Sequence, residues 1–372
     1  MNDDETRRDR SAAGPDRWRI VIVGGGPAGA SAAIRLAQVA PELAPRTLIL
    51  DRADFPRDKP CGGGIARITE DLLDMVDVRV DVPSVWIDEL RFLHPAGESD
   101  YRRASAFRIV RRRDFDAALL AVARSLGVTV HEGEEVRRLA RERDGIRIDT
   151  DRATYRADVI VGADGARSRV RRTFVSPHAG ATFVALETTA PDARAASGAQ
   201  GATAVFDFRA VPAGLHGYAW DFPCIRDGVR SINCGVGGIR WTPGRAPGTQ
   251  LEERLATRGL AFARRHAEGA AVPLYHPASE QSAPRVLLAG DAVGIDPLMG
   301  EGISVAVATG FMAGHAAARA VASGDFAFAD HARRIAGSPV GERLRRNWMI
   351  GPHFYERLRD GHALTIPQDG FV

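Results

Sequence analysis

Lysine is almost absent from this sequence: among its 50 basic residues, Lys59 is the only lysine. A bias of this kind is typical of genome composition and indicates little about function. The arginines are scattered, and the basic runs at 111–113 and 169–172 are short. Although the net charge is +3 and the isoelectric point is about 9.0, a chain without a continuous basic stripe is not predicted to bind nucleic acid.

Cysteine is scarce as well. Cys61, Cys224 and Cys234 form no C-x-x-C pair and have no histidine at metal-site spacing. This pattern argues against a disulfide framework and against a zinc site. We therefore expect a reducing compartment and no bound metal.

Long apolar runs are also missing. No run approaches the roughly 18 to 20 residues that cross a bilayer, so we expect no membrane-spanning helix. Residues 1–17 mix charges of both signs and lack the apolar stretch and cleavage site of a signal peptide. The sequence therefore predicts a disordered tail over residues 1–17 and a cytoplasmic location.

The order of apolar patterns predicts an α/β protein with an inserted sheet. A β-branched strand at 20–23, a glycine turn and an alanine-rich helix lead to a second buried strand, and strand-like runs dominate residues 176–275, with one helical stretch near 250–267. The predicted units are a Rossmann-like domain formed by 18–80, 105–175 and 276–325, an antiparallel substrate-binding sheet formed by 81–104 and 176–275, and a helical segment at 326–372.

The first motif is G-x-G-x-x-G, formed by Gly24, Gly26 and Gly29 between a strand and a helix. The first glycine permits a tight turn, the second lets backbone approach a pyrophosphate, and the third lets the helix pack close to the sheet. Asp51 ends the second strand, where a carboxylate can accept both ribose hydroxyls. This pattern predicts an adenine dinucleotide, FAD or NAD, bound by Gly24, Gly26, Pro27, Ala28, Gly29, Asp51 and Arg52.

Two further segments distinguish FAD from NAD. GADGARSRVRR (162–172) and LLAGDAVGIDPLMGEGI (287–303) resemble the D-G and G-D motifs of flavoproteins with the p-hydroxybenzoate hydroxylase fold. The resemblance implies non-covalent FAD, with Asp291 on the ribityl chain and backbone N–H groups near flavin N1. Two alternatives stay open: Asp164 only caps a turn, and Arg112 only pairs with an acid. The implied cofactor residues are Arg112, Asp164, Gly165, Gly290, Asp291, Pro297, Gly300, Gly302 and Ile303.

Two other segments narrow the family. KPCGGGI (59–65), YAWDFP (218–223) and the GEGI ending of the G-D motif resemble the geranylgeranyl reductases, which saturate isolated double bonds of prenyl chains. The resemblance implies that Cys61, Gly62 and Gly63 face the flavin.

Tyr218, Trp220 and Phe222 share one face of a strand. They form either an ordinary core layer or the wall of an apolar substrate cavity. Cys61, Tyr218 and Trp220 are the candidate catalytic residues, whereas Cys61 as a small apolar filler and Lys59 as a phosphate or head-group ligand stay open.

The reductant and the reaction are less constrained. GVGG at 235–238 lacks the helix that a second dinucleotide turn requires, so NAD(P)H would dock transiently or an electron carrier would reduce the flavin. The leading hypothesis is reduction of prenyl double bonds. The alternative is a monooxygenase that hydroxylates an aromatic or polyketide-like substrate.

The C-terminal segment carries apolar residues near helical spacing among arginines, namely Val340, Leu344, Trp348, Tyr355 and Leu358. Packing on the core is the favoured interpretation. A basic amphipathic surface on a membrane that supplies a lipid-like substrate is the alternative.

Overall fold

The computed structural model describes residues 16–192, 202–260 and 267–363. Within these residues the chain forms two eight-stranded sheets joined by helices. The first strand begins at Asp16, so residues 16 and 17 belong to a strand and not to the predicted tail. Residues 1–15, which carry the rest of that tail, lie outside the described residues.

The first sheet is the core of the Rossmann-like domain. Its strands are β1 (Asp16–Val23), β2 (Thr47–Leu50), β6 (Thr129–His131), β7 (Val136–Glu142), β8 (Gly145–Thr150), β9 (Thr154–Gly162), β15 (Ser282–Ala283) and β16 (Val286–Leu288). The order β16-β9-β1-β2-β6 is parallel, while β15 and the β7-β8 pair add antiparallel edges. The parallel strands carry short apolar runs at 20–23, 48–50, 159–161 and 286–288, because both faces of the sheet are covered.

The second sheet is almost entirely antiparallel. Its strands are β3 (Gly64–Ala66), β4 (Ser84–His94), β5 (Gly97–Val110), β10 (Thr182–Pro191), β11 (Thr203–Asp207), β12 (His216–Arg226), β13 (Val229–Arg240) and β14 (Glu268–Pro273). They lie in the order β14-β10-β13-β12-β11-β4-β5-β3, and only β11 and β4 are parallel. GVGG at 235–238 lies inside β13 and does not precede a helix.

Helices flank the first sheet and form the last elements of the described residues. They are α1 (Pro27–Val39), α2 (Arg67–Asp74), α3 (Arg112–Ser125), α4 (Arg169–Phe174), α5 (Pro247–Ala256), α6 (Ile303–Ser323), α7 (His331–Ala336) and α8 (Pro339–Arg359). Short 3₁₀ turns occupy Pro41–Arg46 and Gly290–Ala292. The predicted helix near 250–267 ends early, at Ala256; residues 261–266 and 364–372 lie outside the described residues.

Helices α1 and α6 pack closely because their contact face consists of small residues. A Cβ atom at Gly310 or Gly314 would collide with the backbone carbonyls of Ala28 and Ala32. By length and composition α6 is apolar enough to cross a bilayer, so the expectation that no segment reaches this threshold is wrong. In the fold, 67% of the apolar stretch of α6 is buried, much of it against α1.

Two stretches of the predicted FAD-binding domain belong to the second sheet instead. β5 pairs with β4 as far as Val110, and β3 pairs with the end of β5, so residues 64–66 and 105–110 belong to the second sheet. Residues 106–110 are all buried because Phe107 packs in the core of the second sheet while Val110 packs in that of the first. A strand covered on both faces has the apolar run of a parallel strand, which explains the error.

The burial pattern of helix α8 distinguishes the two interpretations of the C-terminal segment. Val340, Leu344, Tyr355 and Leu358 are at most 5% exposed and pack in the core, whereas Trp348 is 39% exposed. Four of the five apolar positions therefore follow the favoured interpretation.

Candidate active site

The turn between β1 and α1 has the shape that a dinucleotide requires. Gly24 adopts φ +103°, and a Cβ there would collide with the Ala163 carbonyl. A Cβ at Gly29 would collide with the Gly24 carbonyl, so this glycine sets the approach of α1 to the turn. Pro27 and Ala28 form the first turn of α1, whose N-terminal N–H groups favour an anion.

Gly26 occupies the most open position of the turn. A Cβ at Gly26 would meet only the Arg57 guanidinium, at 3.2 Å, and Asp116 Oδ2, at 4.0 Å. Both are side-chain atoms, so the protein itself does not demand glycine here. A ligand that approaches the backbone at this point explains the absence of a side chain.

Asp51 fixes the turn to the end of β2. Its Oδ2 accepts a hydrogen bond from the Gly25 N–H at 2.7 Å, and its Oδ1 accepts one from the Ala53 N–H at 2.9 Å. Each carboxylate oxygen retains a second lone pair that can accept a ribose hydroxyl. The contact with ribose stays a prediction. Arg52 is exposed.

Two arginines converge on one buried carboxylate beside this turn. Arg112 forms a bidentate pair with Asp116, at 2.7 and 2.8 Å, and Arg57 lies 3.1 Å from the same carboxylate. Burial would lower the pKa of Arg112, but the Asp116 carboxylate raises it above its ordinary value. Arg112 therefore pairs with an acid, the alternative that the sequence left open, and Arg57 is the cation that lies against Gly26. The pattern analysis missed Arg57, whose only signal was its place just before Lys59.

The D-G motif contributes a helix cap and one buried atom without a partner. Asp164 Oδ2 accepts hydrogen bonds from the Arg169 and Val170 N–H groups at the start of α4, the capping role that the sequence left open. Asp164 Oδ1 is buried and has no hydrogen-bond partner within the described residues. Burial raises the pKa of this carboxyl. An orphaned oxygen beside Gly165 (φ +77°) fits a hydroxyl donor on a bound cofactor.

Asp291 of the G-D motif lies next to the D-G motif and to the end of its own motif. A Cβ at Gly302 would lie 3.6 Å from Asp291 Oδ1, and one at Gly165 would lie 4.0 Å from Asp291 Oδ2. Lys59 Nζ lies 3.1 Å from Oδ2. Burial alone would raise the pKa of Asp291, but the Lys59 ammonium holds it below its ordinary value, so the group is an anion.

The loop after Asp291 is itself tied down. Asp296 Oδ1 accepts from the N–H groups of Leu298 and Met299, and its backbone carbonyl accepts from the Gly300 N–H at 3.0 Å. The Gly300 N–H is thus bonded within the turn that starts at Asp296, and its predicted position near flavin N1 stays a prediction. Gly302 caps α6, and Ile303 is its first residue. The N-terminus of α6 therefore points to this loop and favours a negative charge on a bound group. Gly290 opens the preceding turn with φ +66°.

The loop after β2 lies against the second sheet. The Cys61 N–H donates to Glu187 Oε1 at 2.6 Å, and the Gly63 N–H donates to Cys61 Sγ at 3.4 Å. A Cβ at Gly62 would lie 3.0 Å from the Phe222 ring and 3.3 Å from Trp220 Nε1. The cysteine loop and the aromatic strand, which are far apart in sequence, therefore meet.

The aromatic stripe of β12 is buried, as a core layer would be: Tyr218, Trp220 and Phe222 are 7%, 5% and 8% exposed. Space for the rings comes from the neighbouring strand, since a Cβ at Gly235 would overlap the Trp220 ring. The Tyr218 hydroxyl donates to the Met299 carbonyl at 2.6 Å, and the Trp220 N–H donates to Asn233 Oδ1 at 2.7 Å.

These contacts weaken the catalytic assignment of Tyr218 and Trp220. Burial raises the pKa of the Tyr218 phenol, so its proton is held firmly and already bonded. Neither side chain lines the cleft beside the cysteine loop, and both belong to the wall behind the Gly62 loop.

That cleft is polar. It is lined by residues of the cysteine loop, the end of β5 and the second sheet, among them Lys59, Cys61, Arg112, Glu187, Cys224 and Asn233. Of the predicted catalytic residues, only Cys61 faces it. The sequence analysis missed Glu187, although an acid within the apolar strand VALETT was a signal that it has a partner or a function.

Taken together, the residues fit FAD. The glycine turn leaves backbone free at Gly26, Arg57 adds a cation beside it, and the D-G and G-D motifs converge on Asp291. The unpartnered Asp164 Oδ1 is the observation that most directly calls for a ligand donor.

Comparisons with known proteins agree with this fit. Residues 17–194 match the family model described as the FAD binding domain. The chain is 27% identical over 380 residues to the digeranylgeranylglycerophospholipid reductase of Methanoculleus marisnigri, covering 95% of this chain and 90% of that protein. It is 28% identical over 330 residues to the menaquinone reductase of Mycolicibacterium smegmatis, covering 80% and 75%.

Among solved structures, a geranylgeranyl bacteriochlorophyll reductase-like protein of Thermoplasma acidophilum matches with a TM-score of 0.75. The two chains are 21% identical, and the match covers 93% of this chain and 88% of the other. The predicted p-hydroxybenzoate hydroxylase-like fold is confirmed. The chain is an FAD-dependent oxidoreductase, similar to the geranylgeranyl reductases.

Proposed function

We propose that this FAD-dependent oxidoreductase saturates isolated C=C bonds of a prenyl chain. The observation that carries the proposal is the meeting of the Gly62 loop with Trp220 and Phe222. The two segments on which the resemblance to prenyl reductases rests thus form one wall.

The extent of the similarity supports the same conclusion. The match to the archaeal prenyl-lipid reductase covers 95% of this chain, so it includes the second sheet as well as the FAD domain. FAD binding alone would not require β12 and the cysteine loop to lie in contact.

The residues of this chain bind the cofactor, stabilise charge on it and exclude water from the site. The β1–α1 turn, Arg57 and Asp291 hold the cofactor, and the start of α6 favours negative charge on it. When bound, reduced flavin supplies the hydride for alkene reduction. The buried aromatic wall supports the Gly62 loop and excludes water from that side of the site. Burial of an apolar chain in the site is worth about 0.8 kcal/mol per CH₂.

The reductant and a membrane contact belong to the proposal as well. We propose that NAD(P)H docks transiently or that an electron carrier reduces the flavin.

Helix α8 exposes Trp348, Met349 and Ile350 side by side, at 39%, 61% and 40%, with Arg345 and Arg346 exposed one turn earlier. We propose that this patch rests on an anionic lipid surface; replacing Trp348 and Met349 with serine should then reduce co-sedimentation with anionic vesicles but leave FAD content unchanged.

Oxygen dependence tests the proposed reaction. The protein, with its flavin reduced chemically, is incubated with a prenylated lipid under strict exclusion of oxygen, and the product is analysed by mass spectrometry. A gain of two hydrogens per double bond is expected. Product that carries an added oxygen atom, together with no turnover in the absence of O₂, would instead identify the monooxygenase alternative.

A further inference from the structure

A carboxyl group that the proposed mechanism does not yet use lies inside the second sheet. Glu187 is in the middle of β10, is 8% exposed and lines the same cleft as Cys61. Its Oε1 accepts the Cys61 N–H at 2.6 Å. A buried acid that accepts a backbone N–H of the cysteine loop needs an explanation beyond packing.

Four neighbouring elements place charged or polar groups near Glu187. Glu268 pairs with it across β10 and β14, Arg112 faces it from α3, the Asn233 amide contacts it from β13, and the Cys224 thiol lies nearby on β12. Lys59 lines the same cleft. No basic side chain within the described residues forms an ion pair with Glu187, unlike Asp116 and Asp291.

The protonation state follows from this setting. Burial, the largest cause, and the nearby Glu268 carboxylate raise the pKa of Glu187 to about 7, against the opposing effects of the Cys61 N–H, the Asn233 amide and Arg112. The group is therefore about half protonated at pH 7, so it can both carry a proton and release it. Tyr218 and Cys224, by contrast, have pKa values raised by burial, that of Cys224 to about 11.

We infer that Glu187 is the general acid of the reduction and donates its proton to the alkene in the cleft. This inference rests on the proposed function. One alkene carbon takes a hydride from reduced flavin, and the π electron pair forms a C–H bond with the Glu187 proton at the other carbon. The double bond becomes a single bond, flavin is left oxidised, and Glu187 is left as a carboxylate that regains a proton from water.

This assignment changes the role of Cys61. The backbone of Cys61 positions the Glu187 carboxyl, so its N–H is needed but its thiol is not. Cys61→Ser keeps that N–H and should therefore keep the acid.

Glu187→Gln is the variant that tests the inference, because its amide oxygen still accepts the Cys61 N–H but its side chain is no acid. In anaerobic stopped-flow experiments the chemically reduced protein is mixed with a prenylated lipid, and flavin reoxidation is followed. The wild-type rate should fall as pH rises through about 7. Glu187→Gln should bind FAD normally and reoxidise about 100-fold more slowly or worse, without that pH dependence. Glu187→Asp should recover part of the rate.

Glu268→Gln is the matched control. It removes the neighbouring negative charge that raises the pKa of Glu187, so it should move the pH profile to lower pH and keep the maximal rate. A Glu187→Gln protein with wild-type rate and profile, or a profile lost only in Cys61→Ser, would overturn the inference.

A second readout needs no turnover. Infrared spectra of the wild-type protein should show a protonated carboxyl band that titrates near pH 7, and Glu187→Gln should lack it. If Glu187→Gln fails to bind FAD, this titration in the wild type decides: absence of the band at pH 6 refutes the acid. If the wild type binds FAD but never reduces a prenyl chain, the proposed function fails together with the inference, whereas rapid turnover by Glu187→Gln contradicts the acid alone.

Discussion

The Lys59 ammonium lies 3.1 Å from the Asp291 carboxylate, so a contact across 232 residues ties the cysteine loop to the G-D motif. The only lysine of the chain therefore has a defined partner. Its charge keeps Asp291 anionic at a largely buried position, where an unpaired carboxylate would be costly. The pair also fixes the relative position of two loops that both border the candidate flavin site.

Lys59→Met should destabilise the flavin-free protein by about 1 kcal/mol, because Lys59 is one third exposed and solvent screens the pair. The coupling is measured by urea unfolding of Lys59→Met, Asp291→Asn and the double variant. Arg91→Met serves as the control, since its pair with Asp100 is exposed and should contribute less. Additive effects of Lys59→Met and Asp291→Asn would show that the pair has no energetic role.

Gly26→Val should abolish FAD binding and leave the fold intact. The added side chain meets only movable side-chain atoms of the protein, but it fills the space where a pyrophosphate approaches the backbone. Absorbance of released flavin and circular dichroism measure the two effects separately. Gly24→Val should by contrast unfold the turn, because Gly24 has φ +103° and faces a backbone carbonyl. Gly248→Ala, with open space around its position, should alter neither.

Asp291→Ala should weaken FAD binding more than Asp164→Ala does. A charge-assisted hydrogen bond to the ribityl chain contributes about 1.5 to 3 kcal/mol, whereas Asp164 also caps α4 and its loss costs about 1 kcal/mol of folding stability. Titration of the flavin-free variants with FAD gives the affinities, and thermal unfolding gives the stabilities. Equal FAD affinities of the two variants would contradict the assignment of Asp291.

The local parts of the site could be predicted from the sequence, because they are set by neighbouring residues. The Gly24 to Gly29 turn follows from a strand, three glycines and a helix that are contiguous. The strand alternation of Tyr218 and Trp220 follows from the two-residue period of a strand. Spacing alone was sufficient for these features.

The rest depends on contacts between distant segments. Glu187 and Cys61 are 126 residues apart, and Arg57 and Asp116 meet only because β2 and α3 flank the same turn. A single sequence gives no signal for such pairs beyond an acid in an apolar strand. The capping role of Asp164 and the engaged N–H of Gly300 depend on turn geometry that motif spacing does not specify.

Glu187 should also make the stability of the protein depend on pH. Its pKa in the folded state is about 7 and its ordinary value is 4.5, so between these values the folded state binds more protons than the unfolded state. Its contribution is therefore fully present below pH 4.5 and is lost as pH rises to about 7, by roughly 3 kcal/mol. Chemical unfolding at pH 5, 6, 7 and 8 should show this loss in the wild type relative to Glu187→Gln. Parallel stability curves for the two proteins would refute the raised pKa.

The wall formed by Trp220 should determine how long a prenyl chain the enzyme accepts. Trp220→Phe keeps an aromatic ring on β12 but removes the bond to Asn233 and the part of the ring that lies against Gly62. Because Trp220 supports the Gly62 loop from behind and does not touch the reacting atoms, the change should alter the site along the prenyl chain, so kcat/KM for a twenty-carbon prenyl substrate should fall about tenfold more than for a ten-carbon one. Phe92→Leu is the control: Phe92 is fully buried and stacks on Phe206, so its loss should lower stability and leave the ratio of the two kcat/KM values unchanged. If Trp220→Phe lowers both values equally, Trp220 is a core residue only, and the substrate lies elsewhere in the cleft.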